Sequence, residues 1–167
     1  DMWFDAVYDF SNGYANVNLN GKWNLIDTNG KLISDMWFDA VYDFRNGYAN
    51  VRLDDKYNFI NQKYNFINQN GKLLSDTWFD SVDNFYDGYA KVQLDNKWNL
   101  IDTNGKLISD RWFDEVGGFH DGYALVKLGD KYNFINQNGK YINNILYDYA
   151  GDFYHGYALV EIDDEWF

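Results

Sequence analysis

Short runs of the chain alternate strictly between apolar and polar residues. Tyr14-Ala15-Asn16-Val17-Asn18-Leu19 places Ala15, Val17 and Leu19 on one face, which is the pattern of a β-strand with one side turned to a core. Asn20-Gly21 then supplies a two-residue hairpin turn. The return strand reads as Lys22 to Asp27, which pairs Leu19 with Lys22, Val17 with Asn24 and Ala15 with Ile26. Tyr14, Trp23 and Leu25 fall on the opposite face, so both faces are part apolar, as expected of a unit packed between neighbours. Asn29-Gly30 predicts a second turn, with a short strand through Leu32 and Ile33. The next segment, DMWFDAVYDF at 35–44, carries Trp37, Phe38, Val41 and Phe44 at helical spacing. Its counterparts contain Val116-Gly117-Gly118-Phe119 and Ala150-Gly151-Asp152-Phe153, where each glycine would cost a helix ~1 kcal/mol. A short strand followed by a bend is therefore predicted.

The pattern repeats. Phe-x-x-Gly-Tyr-Ala-x-Val-x-Leu/Ile recurs with Phe at Phe10, Phe44, Phe85, Phe119 and Phe153, at spacings of 34, 41, 34 and 34. The long spacing is explained by KYNFINQ, present at 56–62 and again at 63–69. The unit is 34 residues, and the array divides into 1–34, 35–75, 76–109, 110–143 and a partial 144–167. The hairpin turns of the later repeats fall at Asp54-Asp55, Asp95-Asn96, Gly129-Asp130 and Asp163-Asp164. A second period lies above the first, because KWNLIDTNGKLISD at 22–35 recurs at 97–110 and KYNFINQNGK at 63–72 recurs at 131–140. Trp23 and Leu25 thus become Tyr64 and Phe66, a volume-conserving exchange suited to a shared core position. Seven is odd, so a continuous strand through both heptapeptides would reverse its faces. A bulge or turn is predicted near Gln62-Lys63, with one copy in the array and the other an excursion. Which copy is which stays open.

Composition narrows the class. The 167 residues are 46% hydrophobic and 21% aromatic, which excludes disorder of the weakly hydrophobic kind despite a net charge of -12. No apolar run approaches the ~18 residues of a membrane-spanning helix, so no membrane insertion is expected. The chain has no cysteine, which removes disulfides and thiolate chemistry, and no proline, so sheet edges rely on Lys, Asp and Asn. An acidic surface repels phosphate backbones, so nucleic acid is not an expected partner.

Phe-x-x-Gly-Tyr-Ala-x-Val, followed by Lys-Trp-Asn-Leu-Ile-Asp and Asn-Gly-Lys, resembles the bacterial WG (KWG) repeat over essentially the whole chain. The departure is Asn in place of the Gly of the WG pair, at Asn24, Asn58, Asn65, Asn99 and Asn133. Because Asn tolerates a positive φ or a bulge almost as well as Gly, the swap is expected to preserve backbone geometry. Phe167 falls at the same phase, which predicts a repeat cut short. The resemblance implies a β-repeat interaction module, bacterial and in a compartment the residues leave open, cell surface or secretion among the settings, and it implies no chemistry.

Candidate sites are few. Asp27-Thr28-Asn29-Gly30 and Asp102-Thr103-Asn104-Gly105 have the look of an oxygen-rich calcium loop, yet the distal acid such a loop needs is missing and Asn68 and Asn136 replace the leading Asp. They read as hairpin turns, with no metal expected. Asp5, Asp39, Asp80, Asp114 and Asp148 follow an aromatic in every repeat. Catalytic carboxylates form a unique pair, whereas five copies indicate one structural hydrogen bond per repeat, made to a turn backbone. His120 and His155 differ in repeat phase and read as exposed turn residues. No nucleophile–base order, phosphate loop or zinc motif is present, so neither catalysis nor a cofactor is expected. Two aromatic ladders remain: Trp23, Tyr57, Trp98, Tyr132 and Trp166, and Trp3, Trp37, Trp78 and Trp112 with Leu146 in the last repeat. They are read first as core, and the second set as a candidate ligand surface.

The expectation is an all-β tandem array of antiparallel meanders, stacked as an open curved array, with a closed propeller-like ring as the alternative. Its expected role is non-catalytic binding of a protein partner with a basic patch. The alternatives are carbohydrate binding or adhesion through exposed Trp and Tyr, and self-association through repeat ends and NFINQ segments.

Overall fold

The computed structural model describes the backbone of residues 3–55 and 58–167, and the side chains of all of these except 55 and 58–61. It is all-β, with two compact units, Asp1–Tyr86 and Asp87–Phe167. The first holds β1 (Ala6–Val7), β2 (Tyr14–Leu19) and β3 (Lys22–Asp27) in one antiparallel sheet, β4 (Ala40–Val41), β5 (Tyr48–Asp55) and β6 (Asn58–Asn68) in another, and then β7 (Ser81–Val82). The second holds the β8 (Tyr89–Leu94)–β9 (Lys97–Asp102) hairpin. It continues with β10 (Glu115–His120), β11 (Tyr123–Leu128) and β12 (Lys131–Asn136), then β13 (Tyr149–Ala150), β14 (Val160–Ile162) and β15 (Glu165–Trp166). Among the described residues no sheet closes on itself.

The register follows from turn chemistry. Leu19 faces Lys22, Val17 faces Asn24 and Ala15 faces Ile26, as the two-residue turn dictates. Asn20 and Gly21 both have positive φ (52° and 76°), as do Asp95 with Asn96 and Asp163 with Asp164, the left-handed pair that matches strand twist. At Gly129-Asp130 only the glycine does. The segment after each second turn carries a short strand and a bend, as expected, and in β10 a register shift between Val116 and Phe119 accommodates the two glycines. Leu32 makes only an isolated bridge to Ile26 and Ile33 N–H donates to Leu25 O, so the expected third strand is reduced to a bridge. Just beyond it, Ser34 O accepts from the Asn24 side chain rather than from a strand backbone.

The core lies between repeats. Leu25 packs with Phe38, Val41, Phe44, Ala49, Val51 and Ile67 in the first unit, and Leu100 with Ile108, Phe113, Val116, Ala124, Val126 and Ile135 in the second. Each cluster draws on two successive repeats, so neither repeat buries its apolar face alone. Backbone bonds cross the same seam. Trp23 N–H donates to Phe38 O at 2.8 Å and Phe38 N–H returns to Trp23 O at 2.9 Å, a reciprocal pair repeated at Tyr64/Phe79, Trp98/Phe113 and Tyr132/Tyr147. Glycine is needed where backbones come closest: a Cβ on Gly139 would sit 1.9 Å from Ile108 O, and one on Gly71 1.7 Å from Ile33 O.

The duplicated heptapeptide departs from expectation in place. Asp54-Asp55 is not a turn: β5 runs through both, pairing Asp54 with Gln62 and Asp55 with Asn58. The irregularity therefore lies between Asn58 and Gln62, inside the first copy, rather than at Gln62-Lys63. Leu53 pairs with Lys63, Arg52 with Tyr64 and Ala49 with Ile67, so the second copy occupies the array, and Phe66 and Ile67 are fully buried. Tyr57, assigned above to an aromatic ladder, lies outside the described residues.

Candidate functional site

Each repeat is joined to the next by a lysine–aspartate pair, and three of those aspartates, Asp39, Asp114 and Asp148, also hold a turn backbone. Asp39 Oδ2 accepts the Asp54 N–H at 3.0 Å, Asp114 the Gly129 N–H at 2.8 Å, Asp148 the Asp163 N–H at 3.0 Å and Asp5 the Asn20 N–H at 2.6 Å. These are the turn-backbone bonds the sequence implied. The other oxygen was not foreseen: Oδ1 of Asp39, Asp80, Asp114 and Asp148 accepts from Lys22, Lys63, Lys97 and Lys131 of the preceding repeat. A legible signal existed, because every such pair is separated by 17 residues. That spacing also selects Lys63 over Lys56, and hence the second heptapeptide copy.

The electrostatics follow the contacts. The Lys97 ammonium and the Gly129 N–H hold the Asp114 carboxyl below its usual range, and Lys131 with the Asp163 N–H does the same for Asp148. At Asp39 burial pushes upward, but the Asp54 N–H and Lys22 outweigh it and the net shift is down. Asp148 in turn raises Lys131. These carboxylates are acceptors with both oxygens committed, which leaves no acid–base pair among them.

The asparagines of the Trp-Asn pair have a different role from the one expected. None of Asn24, Asn65, Asn99 and Asn133 has a positive φ. Instead Asn24, Asn65, Asn99 and Asn133 are buried, and each Nδ2 bridges two carbonyls of the next turn: Ser34 and Met36, Ser75 and Thr77, Ser109 and Arg111, Asn143 and Ile145. Each Oδ1 accepts the following backbone N–H, of Leu25, Phe66, Leu100 and Phe134. The side chain is needed for its amide, not for backbone tolerance.

Asp27-Thr28-Asn29-Gly30 is a capped turn. Asp27 Oδ1 accepts from Asn29 N–H at 2.8 Å and Lys31 N–H at 2.9 Å, and Asn68 Oδ1 does the same for Asn70 and Lys72. The amide performs as well as the carboxylate, so acceptor geometry, not charge, is what the position requires. Among the described residues no three His, Cys, Asp or Glu side chains converge. His120 ends β10 opposite Tyr123 rather than lying in a turn, and His155 packs edge-on to the Tyr154 ring in one.

The tryptophans are not equivalent. Trp3 is 85% exposed. Trp37 is half-buried over Ala15, Val17 and Ile26, and Trp78 over the first-unit core, while Trp112 is also half-buried. The fully buried ladder is the neighbouring residue: Phe38, Phe79 and Phe113, with Tyr147 in the last repeat. Alternation places Trp and Phe on opposite faces, but only the adjacent repeat decides which face is sealed. Tyr14 stacks obliquely on Phe44 at 4.3 Å, Tyr89 on Phe119 at 4.5 Å and Tyr123 on Phe153 at 4.7 Å.

No curated protein matches the chain. Solved structures with a similar backbone path include a Bacteroides caccae protein of unknown function, at 16% identity and a TM-score of 0.33, covering 89% of this chain and 66% of that one. Kluyveromyces lactis Hsv2p matches at 13% identity and a TM-score of 0.42, covering 86% and 51%. The chain therefore spans between half and two thirds of those proteins' length. The WG containing repeat matches residues 4–23, 25–57, 66–98, 100–132 and 134–166. With five tandem matches over most of its length, the chain belongs to the family of WG-containing repeat proteins.

Proposed function

We propose that the chain is a non-catalytic binding and scaffolding module that engages a protein partner bearing a basic patch. The observation that carries this reading is the disposition of charge. The net charge is -12, and Lys22, Lys63, Lys97 and Lys131 are drawn into the repeat-to-repeat ion pairs. Each of those pairs cancels within itself, so the whole excess of acid stays on the rest of the chain, and a basic partner would be steered to it. Exposed aromatics supply contact area within that field: Tyr8, Tyr42 and Tyr86 in the first unit, Tyr149, Tyr154 and Tyr157 in the second. The non-enzymatic reading is supported by the commitment of the recurring carboxylates Asp39, Asp114 and Asp148 to turn backbones and lysines, and the same field disfavours nucleic acid.

The test is retention of Lys- and Arg-rich peptides by the immobilised chain at ~0.05 and ~0.5 M salt, since screening shortens the reach of surface charge about threefold over that range. Retention that falls steeply with salt supports the proposal. Salt-independent retention, or selective retention of neutral glycans on an array, refutes it in favour of a carbohydrate-binding or adhesion role. A sedimentation coefficient rising with concentration would indicate self-association.

A further inference from the structure

We infer that the seam between the fourth and fifth repeats holds a slot for an aromatic side chain, above all an indole, presented by a basic segment of a partner protein. This rests on the reading just given and names its anchor. The slot is a cleft of about 130 Å³ whose lining includes Val126, Leu128, Tyr132, Tyr141 and Leu146 together with the polar Asn133 and the cations Arg111 and Lys131.

Its origin can be read from the repeat. Leu146 stands where Trp37, Trp78 and Trp112 stand in the earlier repeats. Bridges confirm the register, because Tyr132 pairs with Tyr147 as Trp23 does with Phe38, and Ile135 with Tyr141 as Ile26 does with Leu32. At the first seam Trp37 packs against the cluster containing Val17, beside Leu32; the equivalents of that pair, Val126 and Tyr141, line the cleft. The ring that covers this surface elsewhere is therefore missing here, and a smaller side chain takes its place. Exposure records the loss: Leu19, Leu53 and Leu94 are half-buried, whereas their counterpart Leu128 is 46% exposed and Leu146 55%.

The occupant follows from shape and charge. The chain itself shows three times that an indole fits this position, and an apolar cavity of ~150 Å³ holds a benzene ring. Arg111 lies with its guanidinium 5.6 Å from the Tyr141 ring centre, so a second aromatic ring entering the cleft would meet a cation already oriented over π faces. An aliphatic side chain would gain nothing from it. Of the two cations in the lining, Lys131 is paired with Asp148 and also lies in the field of Asp163 and Asp130, so the acids outnumber the cations around this end of the cleft. Basic residues flanking the aromatic are thus favoured.

The experiment uses two blocked peptides, Lys-Lys-Trp-Lys-Lys and Lys-Lys-Ala-Lys-Lys, titrated into the 167-residue chain by calorimetry with leucine methyl NMR. The Trp peptide is expected to bind ~10-fold more tightly and to shift the Leu128 and Leu146 methyls, as a buried aromatic anchor should. Leu146→Trp, which restores the residue of the earlier repeats, should erase that preference while leaving the melting temperature unchanged or higher. Leu128→Ser, at an exposed position, should erase it independently. Equal binding of both peptides to the parent chain overturns the slot and leaves the acidic-surface reading standing. Absence of binding by either peptide at ~1 mM overturns both. A preference that survives Leu146→Trp, or a fall of more than ~3 °C in its melting temperature, overturns the assignment of the slot to this seam.

Discussion

Replacing Asn99 by alanine tests whether the family departure at this position is a structural device. Asn99 is fully buried; its Nδ2 donates to Ser109 O at 2.8 Å and Arg111 O at 3.1 Å, and its Oδ1 accepts from Leu100 N–H at 2.8 Å and Ser109 N–H at 3.3 Å. Alanine leaves those backbone groups without their partner in a place where water has little room. At ~1 kcal/mol net for each of the three well-made bonds, and little for the longest, the loss should be ~3 kcal/mol. With a urea dependence of ~2 kcal/mol per molar, the unfolding midpoint should fall by ~1.5 M. Urea titration followed by tryptophan fluorescence reads this directly. Asn99→Asp sharpens the test: at neutral pH it sets a carboxylate against two carbonyl oxygens in a buried site, and it should be more damaging than alanine. Acidification should narrow its deficit relative to the parent, because the protonated acid regains one donor. A cost below ~0.5 kcal/mol for Asn99→Ala would refute the reasoning, since it would mean the turn carbonyls find other partners on relaxation.

Two further outcomes are expected. The carboxyls of Asp39, Asp114 and Asp148 are held below their ordinary value, so their contribution is present above the unfolded value near ~3.9 and is lost as the pH falls through the folded one. Asp114→Asn keeps an acceptor for Gly129 N–H and should flatten the acid limb of melting temperature against pH, and identical limbs in parent and variant would count against the ion-pair assignment. Deleting 56–62 brings Asp54-Asp55 between Leu53 and Lys63, which already face each other as Leu19 and Lys22 do across their two-residue turn. The shortened chain should fold and melt no lower than the parent, and a loss above ~2 kcal/mol would show that the first heptapeptide is packed.

The features legible in the amino-acid sequence are those set by near neighbours. Alternation over six residues makes Tyr14–Leu19 a strand whatever surrounds it, and Asn20-Gly21 accepts the left-handed pair of angles that sets the register of Leu19 on Lys22. Repetition extended that local reading to the whole array and identified Asp39 and its equivalents as turn caps rather than catalytic acids. Tertiary structure decided what depends on the repeat next door. Trp37 and Phe38 are equally apolar, yet only Phe38 is sealed, because the preceding return strand bridges to it through the Trp23 backbone. Asn24 and Asn99 read as tolerant of an unusual backbone, whereas burial against the following turn turns their amides into the feature that matters. The second heptapeptide pairs in the array, and its Lys63 has an aspartate 17 residues on, Asp80, which it contacts, whereas the residue 17 places after Lys56 is Leu73. The slot beside Leu146 exists only as a difference between seams: one substitution is unremarkable in a sequence, but in a stack it uncovers the surface that an indole elsewhere conceals.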